Sequence, residues 1–254
     1  MLNTIIVGET GDLPPLLIVH GLFGSARNWG VLQKRLAVER QVLAVDLRNH
    51  GDSFHHGDNS YPALADDLAD VITAHGGVAD VIGHSMGGKA AMVLALTRPE
   101  LVRRLLVADI APVAYPHTQM HNLDAMRSVD LSGVTRRAEV DKQLQAHVDE
   151  APLRAFFLQS LALSPEGARW KLNLDALADA MPDILGFPTL EGPFDGPTLF
   201  LHGGLSDYVL PSQHDAIRVQ FPNAGFEAIN GAGHWLHAEK PREFQSAVEA
   251  FLNS

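Results

Sequence analysis

Apolar residues in the first half of the chain form short continuous runs, separated by longer stretches of helical character. The runs are bounded by glycine or proline, which is typical of strands buried on both faces of a sheet. They stand at residues 16–19, 42–45, 77–82 and 105–108. Between them, residues 61–75 have apolar positions at helical spacing, and residues 88–97 are rich in helix formers. This alternation predicts a parallel sheet covered by helices on both faces.

The alternation stops between residues 113 and 192, where no strand is evident. Four helix-like stretches lie there, at residues 120–129, 136–150, 153–163 and 170–181. After Pro193 the alternation resumes, with strands at 198–202 and 225–229 and helices at 213–220 and 241–252. We therefore predict an α/β fold with a mostly parallel, doubly wound sheet. Residues 1–112 and 193–254 would form this core, and residues 113–192 an inserted helical cap.

Composition narrows the function classes. The 254 residues include 30 acidic and 19 basic side chains, and the formal net charge of -11 disfavours nucleic acid as a partner. The chain has no cysteine, so disulfides, cysteine nucleophiles and thiolate metal sites are excluded. The first residues carry no basic leader, and no apolar run approaches the roughly 18 residues of a membrane helix. We predict no membrane span and a cytoplasmic location, and the oligomeric state stays open.

Residues 83–87 read Gly-His-Ser-Met-Gly between a predicted strand and a predicted helix. A serine at such a sharp turn is a nucleophile elbow, in which the positions two residues away must be small. Gly83 and Gly87 meet that need. The N–H of Met86 lies in the first turn of the helix and can point at an oxyanion. The pattern predicts Ser85 as a nucleophile.

A second oxyanion donor is expected from residues 20–25 (HGLFGS), a glycine-rich loop directly after an early strand. The N–H of Leu22 is the first candidate and that of Phe23 the second. The loop at residues 46–53 (DLRNHGDS) also carries charged groups, and we interpret them as ties between loops.

Five segments in this order resemble those of the α/β-hydrolase superfamily. They are residues 20–24, 46–53, 83–87, 203–207 and 231–234. The resemblance covers nearly the whole chain and is closest to small bacterial acyl esterases with a helical cap. It implies Ser85 as nucleophile and His234 as general base and then acid, with the N–H groups of Met86 and Leu22 or Phe23 as the oxyanion hole. The chain order Ser…Asp…His is the order that this fold uses.

Two residues are candidates for the carboxylate behind His234. Asp207 follows a predicted strand at the position that is usual in the superfamily, and Asp109 ends the strand after the elbow helix, where some branches place the acid. We favour Asp207 narrowly. His237 is an alternative base, but it lies three residues beyond His234 and is expected in the next turn, away from Ser85.

Most apolar side chains of the cap are expected to pack its own core, while Phe156, Phe157 and Trp170 are candidates to line an acyl pocket. His117 and His121 have metal-ligand spacing without an accompanying carboxylate, so we predict no metal. We also expect no cofactor.

The resulting hypothesis is a serine hydrolase of small-molecule carboxylic esters, with thioesters as a further class, that forms an acyl-enzyme and prefers short to medium acyl chains. Alternatives on the same frame are a C–C bond hydrolase, a cofactor-free haloperoxidase and a non-catalytic ligand receptor.

Overall fold

The computed structural model describes residues 1–254 and contains nine strands. In chain order they are β1 (Thr4–Val7), β2 (Leu16–Val19), β3 (Val42–Val45), β4 (Ala79–His84), β5 (Val102–Ala108), β6 (Leu161–Ser164), β7 (Gly167–Trp170), β8 (Thr198–Gly203) and β9 (Ala224–Ile229). Seven of them form one sheet in the order β1-β3-β2-β4-β5-β8-β9. Strand β1 runs antiparallel to β3, and the other neighbours are parallel. The prediction of a mostly parallel α/β sheet is confirmed.

The centre of the sheet is fully covered, as its apolar runs predict. Every residue of β2, β3 and β4 is buried. Strands β4, β5 and β8 are neighbours in parallel register, with Ile82 beside Leu106 and Leu106 beside Leu199. Parallel neighbours end at the same edge of the sheet, so the residues that follow these three strands meet there.

Eleven α-helices accompany the strands. They are α1 (Gly30–Leu36), α2 (Tyr61–Ala74), α3 (Met86–Thr97), α4 (Met120–Arg127), α5 (Arg137–Leu144), α6 (Ala151–Gln159), α7 (Leu174–Asp179), α8 (Met181–Leu185), α9 (His214–Gln220), α10 (Leu236–Glu239) and α11 (Pro241–Leu252). None of these helices combines the length and the apolar character that a membrane crossing requires.

The sheet separates two apolar cores. Helices α1 and α11 cover one core, in which Trp29 and Phe244 are fully or almost fully buried. Helices α2 and α3 cover the other, and α3 is buried from Met86 to Leu96 because it lies between α2 and strands β4 and β5. Apolar residues of the inserted segment, such as Leu123 and Phe157, belong to the same core as α2 and α3.

The inserted segment differs from its prediction, which had helices and no strand there. Strands β6 and β7 form an antiparallel hairpin, so the helix predicted at 153–163 ends at Gln159 and the one predicted at 170–181 starts at Leu174. Pro165 and Glu166 form the turn, and Gly167 takes a φ of 130° that glycine adopts readily. Helices α4 and α5 end earlier than predicted, at Arg127 and Leu144. The division of the chain at residues 113 and 192 stays a prediction.

Candidate active site

Ser85 stands on the turn between β4 and α3. Its backbone has φ 52° and ψ -122°, in the left-handed region that is unfavourable for a residue with a Cβ. A Cβ on Gly87 would collide with the carbonyl oxygen of His20, and one on Gly83 with that of Gly87. The N–H of Ser85 donates to the carbonyl oxygen of Ala108 on β5 at 3.0 Å, which fixes the turn to the neighbouring strand. The local structure is therefore the strand–turn–helix elbow that the sequence predicts.

A hydrogen-bonded chain of three side chains starts at Ser85. The Oγ atom of Ser85 lies 3.1 Å from Nε2 of His234, and Nδ1 of His234 lies 2.7 Å from Oδ2 of Asp109. His234 comes from the loop after β9 and Asp109 from the end of β5. The three residues span the chain from 85 to 234, and the sheet topology brings them to one edge.

The carboxylate of Asp109 is completely buried and held by several donors. Besides His234, the N–H of Gly203 donates to Oδ1 at 2.8 Å, and the hydroxyl of Ser206 donates to Oδ2 at 2.5 Å. Both donors belong to β8 and the loop that follows it. Such bonds compensate a buried carboxylate for its lost hydration.

The preference for Asp207 over Asp109 is corrected by this geometry. The side chain of Asp207 is exposed and makes no hydrogen bond to His234. Its neighbour Ser206 turns inward instead and donates to Asp109. Strands β5 and β8 are adjacent, so both loops reach the same place, and the sequence did not indicate which one carries the acid. Ser206 itself was missed because a serine beside a candidate aspartate carries no distinguishing signal.

The backbone N–H groups of Leu22 and Met86, both beside Ser85, have no hydrogen-bond partner in the protein. The N–H of Phe23 donates to Nε2 of His50 at 3.3 Å, so it is not free. Of the two candidates in the glycine-rich loop, Leu22 is therefore the one with an available donor.

The loop at residues 46–53 ties its neighbours together. Asp46 accepts hydrogen bonds from the N–H groups of Ala26 and Asp52, at 2.7 and 2.8 Å. Arg48 pairs with Asp67 at 2.6 Å. His50 is buried, and burial lowers its pKa to about 3, so the ring is neutral when it accepts from Phe23. The structural interpretation of this loop agrees with these contacts.

A cleft of about 580 Å³ contains Ser85 and His234. Its apolar lining includes Leu22, Ile110, Leu153, Phe156, Ile184 and Leu185. Phe156, one of the three residues predicted to line a pocket, is thus part of the cleft wall.

The prediction that Phe157 and Trp170 also line the pocket is wrong. Phe157 is fully buried and packs edge-on against Phe23, with ring centres 5.6 Å apart. Trp170 donates from Nε1 to the carbonyl oxygen of Met126 inside the inserted segment. Consecutive helical residues point in directions about 100° apart, so Phe156 and Phe157 do not face the same cavity. An apolar pattern by itself does not separate a pocket wall from a core.

Several polar residues of the cleft were not anticipated. The ring of Tyr208 stacks on His234 at 4.1 Å, and its hydroxyl lies 2.7 Å from Nε2 of His117. The ammonium group of Lys89 donates to the carbonyl oxygens of Leu185 at 2.9 Å and Gly186 at 2.6 Å. Burial lowers the pKa of Lys89 to about 7. A lysine four residues after the serine was visible in the sequence, but its helix gave no reason to expect it in the cleft.

His237 also lines the cleft, but it packs against Trp29 and is not hydrogen-bonded to the serine. Its ring stacks on Trp29 with centres 4.3 Å apart, and burial lowers its pKa to about 3. It makes no hydrogen bond to Ser85, in agreement with the expectation that His234 is the residue facing the serine.

Known proteins resemble this chain over nearly all of its length. Residues 14–241 match the family model described as alpha/beta hydrolase fold. The chain is 45% identical over 249 residues to the sn-1-specific diacylglycerol lipase ABHD11 of Mus musculus, which covers 94% of this chain and 81% of that protein. It is 38% identical over 242 residues to Esterase YbfF of Escherichia coli, covering 94% of this chain and 93% of that protein. The solved structure of a marine microorganism esterase superposes with a TM-score of 0.94 at 38% identity, and 98% of each chain is covered.

Proposed function

The chain belongs to the α/β-hydrolase fold family, and on that premise we propose that it hydrolyses carboxylic esters with Ser85 as the nucleophile. The observation that carries the proposal is the hydrogen-bonded chain from Ser85 through His234 to Asp109, at 3.1 and 2.7 Å. A serine hydroxyl is a weak nucleophile until an imidazole removes its proton, and the imidazolium that forms needs a carboxylate behind it. The names of the relatives, a lipase and two esterases, support the same reaction.

The reaction follows from these groups. Oγ of Ser85 attacks the ester carbonyl carbon while His234 takes the hydroxyl proton, and the proton then passes to the departing alcohol oxygen. The acyl group stays on Ser85 until a water molecule, deprotonated by His234, releases it as a carboxylic acid. Asp109 holds His234 in place through both proton transfers.

The free N–H groups of Leu22 and Met86 are the proposed oxyanion hole. Both are backbone donors beside the serine, and that of Met86 stands at the N-terminus of α3. One such donor contributes about 2.7–4 kcal/mol to the stability of the transition state.

The cleft supports an apolar acyl group of short to medium length. Each buried methylene contributes about 0.8 kcal/mol, so the depth of the cleft beside Ile184 and Leu185 should set the preferred chain length. Thioesters react by the same steps and are the second substrate class that we propose.

A panel of p-nitrophenyl esters from acetyl to palmitoyl tests the proposal, with wild type and the Ser85→Ala variant. We expect a maximum at a short or medium chain, and a loss of kcat of about a millionfold in the variant. Ser132→Ala, an exposed serine on the inserted segment, is the matched control and should retain full activity. Equal activity of Ser85→Ala and wild type would contradict the proposed nucleophile.

A further inference from the structure

A second cavity of about 230 Å³ adjoins the catalytic cleft. Arg27 and Gln159 line both cavities, so the two share part of their walls. We name the second one the side cavity. Its polar lining consists of Ser25, Arg27, Arg137, Gln159, Ser160 and Lys171.

The side cavity is positively charged, although the whole chain has a formal net charge of -11. Three cationic side chains line it, those of Arg27, Arg137 and Lys171. One carboxylate, that of Asp52, opposes them, at 2.6 Å from the ammonium of Lys171 and 3.5 Å from the guanidinium of Arg27. Three cations and one carboxylate leave an excess of two positive charges.

Arg137 is the cation without an acidic partner. Its guanidinium donates to the carbonyl oxygens of Leu158 at 3.3 Å and Leu161 at 3.0 Å, and no carboxylate lies within ion-pair distance. These two bonds use Nε–H and one Nη2–H of the five donors that a guanidinium carries. The remaining donors are available to an anion in the side cavity.

The position of the side cavity suits the alcohol portion of an ester substrate rather than its acyl chain. The apolar residues Ile110, Ile184 and Leu185 suit the acyl chain. Arg27 and Gln159 instead form the wall that the cleft shares with the side cavity, and the side-chain amide of Asn28 donates to Gln159 there. We assign the polar alcohol portion of the substrate to this shared wall.

We propose that the side cavity binds a phosphate group carried by the alcohol portion of the substrate. The hydroxyls of Ser25 and Ser160 already donate to Oδ1 of Asn28 and to the carbonyl oxygen of Phe23. Two guanidinium groups, an ammonium group and the amide of Gln159 remain as donors. Such a set matches the several oxygens and the double charge of a phosphate monoester. The inference rests on the proposed ester hydrolysis, and it narrows the substrates to esters of phosphorylated alcohols.

The test compares 1-octanoylglycerol with 1-octanoylglycerol 3-phosphate, two substrates that differ only in the phosphate. We expect a kcat/KM about tenfold higher for the phosphorylated substrate in wild type, because hydrogen bonds between charged groups are the strong ones. Arg137→Gln and Lys171→Gln should each lose most of that advantage and leave kcat/KM for 1-octanoylglycerol unchanged. The unphosphorylated substrate thus reports whether each variant is folded and active.

Two further variants separate phosphate binding from general effects of charge. Asp52→Asn removes the opposing carboxylate, so the advantage of the phosphorylated substrate should increase, a direction that structural damage would not produce. Arg242→Gln removes an exposed cation on α11 that lines neither cavity, and it should change nothing. Added NaCl should reduce the advantage in wild type, because salt screens exposed charges.

Failure of the phosphate-site proposal and failure of the proposed ester hydrolysis give different results. Equal kcat/KM for the two substrates in wild type, or an advantage that survives both Arg137→Gln and Lys171→Gln, overturns the side-cavity proposal. Inorganic phosphate should inhibit hydrolysis of the phosphorylated substrate competitively. If it instead activates hydrolysis of 1-octanoylglycerol, the cavity binds free phosphate as an effector and the substrate proposal is wrong. Failure of the proposed function itself would be seen as no hydrolysis of either substrate.

Discussion

Asp109 is the residue on which the candidate site depends most. Its buried carboxylate receives hydrogen bonds from His234, Ser206 and the N–H of Gly203. Its own backbone φ is 52°, the same positive value as that of Ser85. Two strained residues at the ends of neighbouring strands face one histidine, which is the concentration of strain expected at a functional site.

Replacement of the two candidate acids separates them. Asp109→Asn should lower kcat on p-nitrophenyl butyrate about 10³- to 10⁴-fold, because His234 loses the carboxylate that orients it and stabilises its protonated form. Asp207→Asn is the matched control, since Asp207 is exposed and does not touch His234. It should retain kcat within about twofold. A large loss in Asp207→Asn with little in Asp109→Asn would reverse the assignment.

Ser206 is a positioning residue for the same carboxylate. Ser206→Ala removes the 2.5 Å bond to Oδ2 of Asp109 and leaves its bond from Gly203 intact. We expect kcat to fall about tenfold with little change in KM, because one donor to a charged group is lost. Ser206→Thr should restore most of kcat, as it keeps the hydroxyl. Equal losses in the alanine and threonine variants would show that only packing is involved.

At the residue scale, the sequence could predict the serine and its histidine but not the acid. The motif around Ser85 and the late position of His234 indicate the pair. Asp109 and Asp207 each follow a strand, and only the order of β5 and β8 in the sheet, together with the inward turn of Ser206, distinguishes them. Such a choice depends on tertiary contacts that no local pattern records.

At the scale of elements, the turn from β4 to α3 depends on two glycines. Gly87→Ala should lower the free energy of unfolding by about 3 kcal/mol, because the new Cβ would collide with backbone atoms of Val19 and His20. Gly57→Ala is the control, since nothing lies within 4 Å of a Cβ there. Urea unfolding of both variants measures the difference. Equal stability of the two variants would mean that the turn tolerates a side chain.

Lys89 ties α3 to the end of α8. Its ammonium donates to carbonyl oxygens of Leu185 and Gly186, while the hydroxyl of Tyr61 donates to that of Ile184 at 2.7 Å. Burial lowers the pKa of Lys89 from 10.5 to about 7. Between these two pH values the unfolded chain binds the proton more strongly than the folded chain does, so the stability contribution of Lys89 rises with pH.

Urea unfolding at two pH values measures this linkage. The free energy of unfolding of wild type, relative to Lys89→Met, should increase by roughly 2 kcal/mol from pH 7 to pH 9, because the unfavourable buried charge is relieved. Lys142→Met, an exposed lysine on α5, should show no such change relative to wild type. The same difference between wild type and Lys89→Met at both pH values would contradict a lowered pKa.

The elements of the core could be read from the sequence more completely than those of the insertion. Buried parallel strands are continuous apolar runs, and these are visible directly, as in β2 and β3. The hairpin of β6 and β7 was missed because its strands have four residues each and its apolar Leu161 and Leu163 extend the pattern of α6. Strands this short are determined by their partner more than by their own sequence.

At the scale of the whole molecule, the sheet order explains why distant residues meet. Strands β4, β5 and β8 end side by side, and the loops after them supply Ser85, Asp109 and Ser206. Strand β9, the next neighbour, leads into the loop that carries His234. The inserted segment contributes Phe156 and Ile184 to the wall of the cleft that contains Ser85. A parallel sheet thus gathers at one edge four loops that are far apart in the chain.

Intact-protein mass spectrometry after treatment with a fluorophosphonate tests the central claim most directly, because this reagent reacts with a serine whose hydroxyl is activated by a neighbouring base. We expect one adduct per wild-type chain, located on Ser85 by peptide mapping, and no adduct on Ser85→Ala. A folded wild-type protein that stays unmodified, or an adduct on a different residue that persists in Ser85→Ala, would contradict the role of Ser85 as the nucleophile.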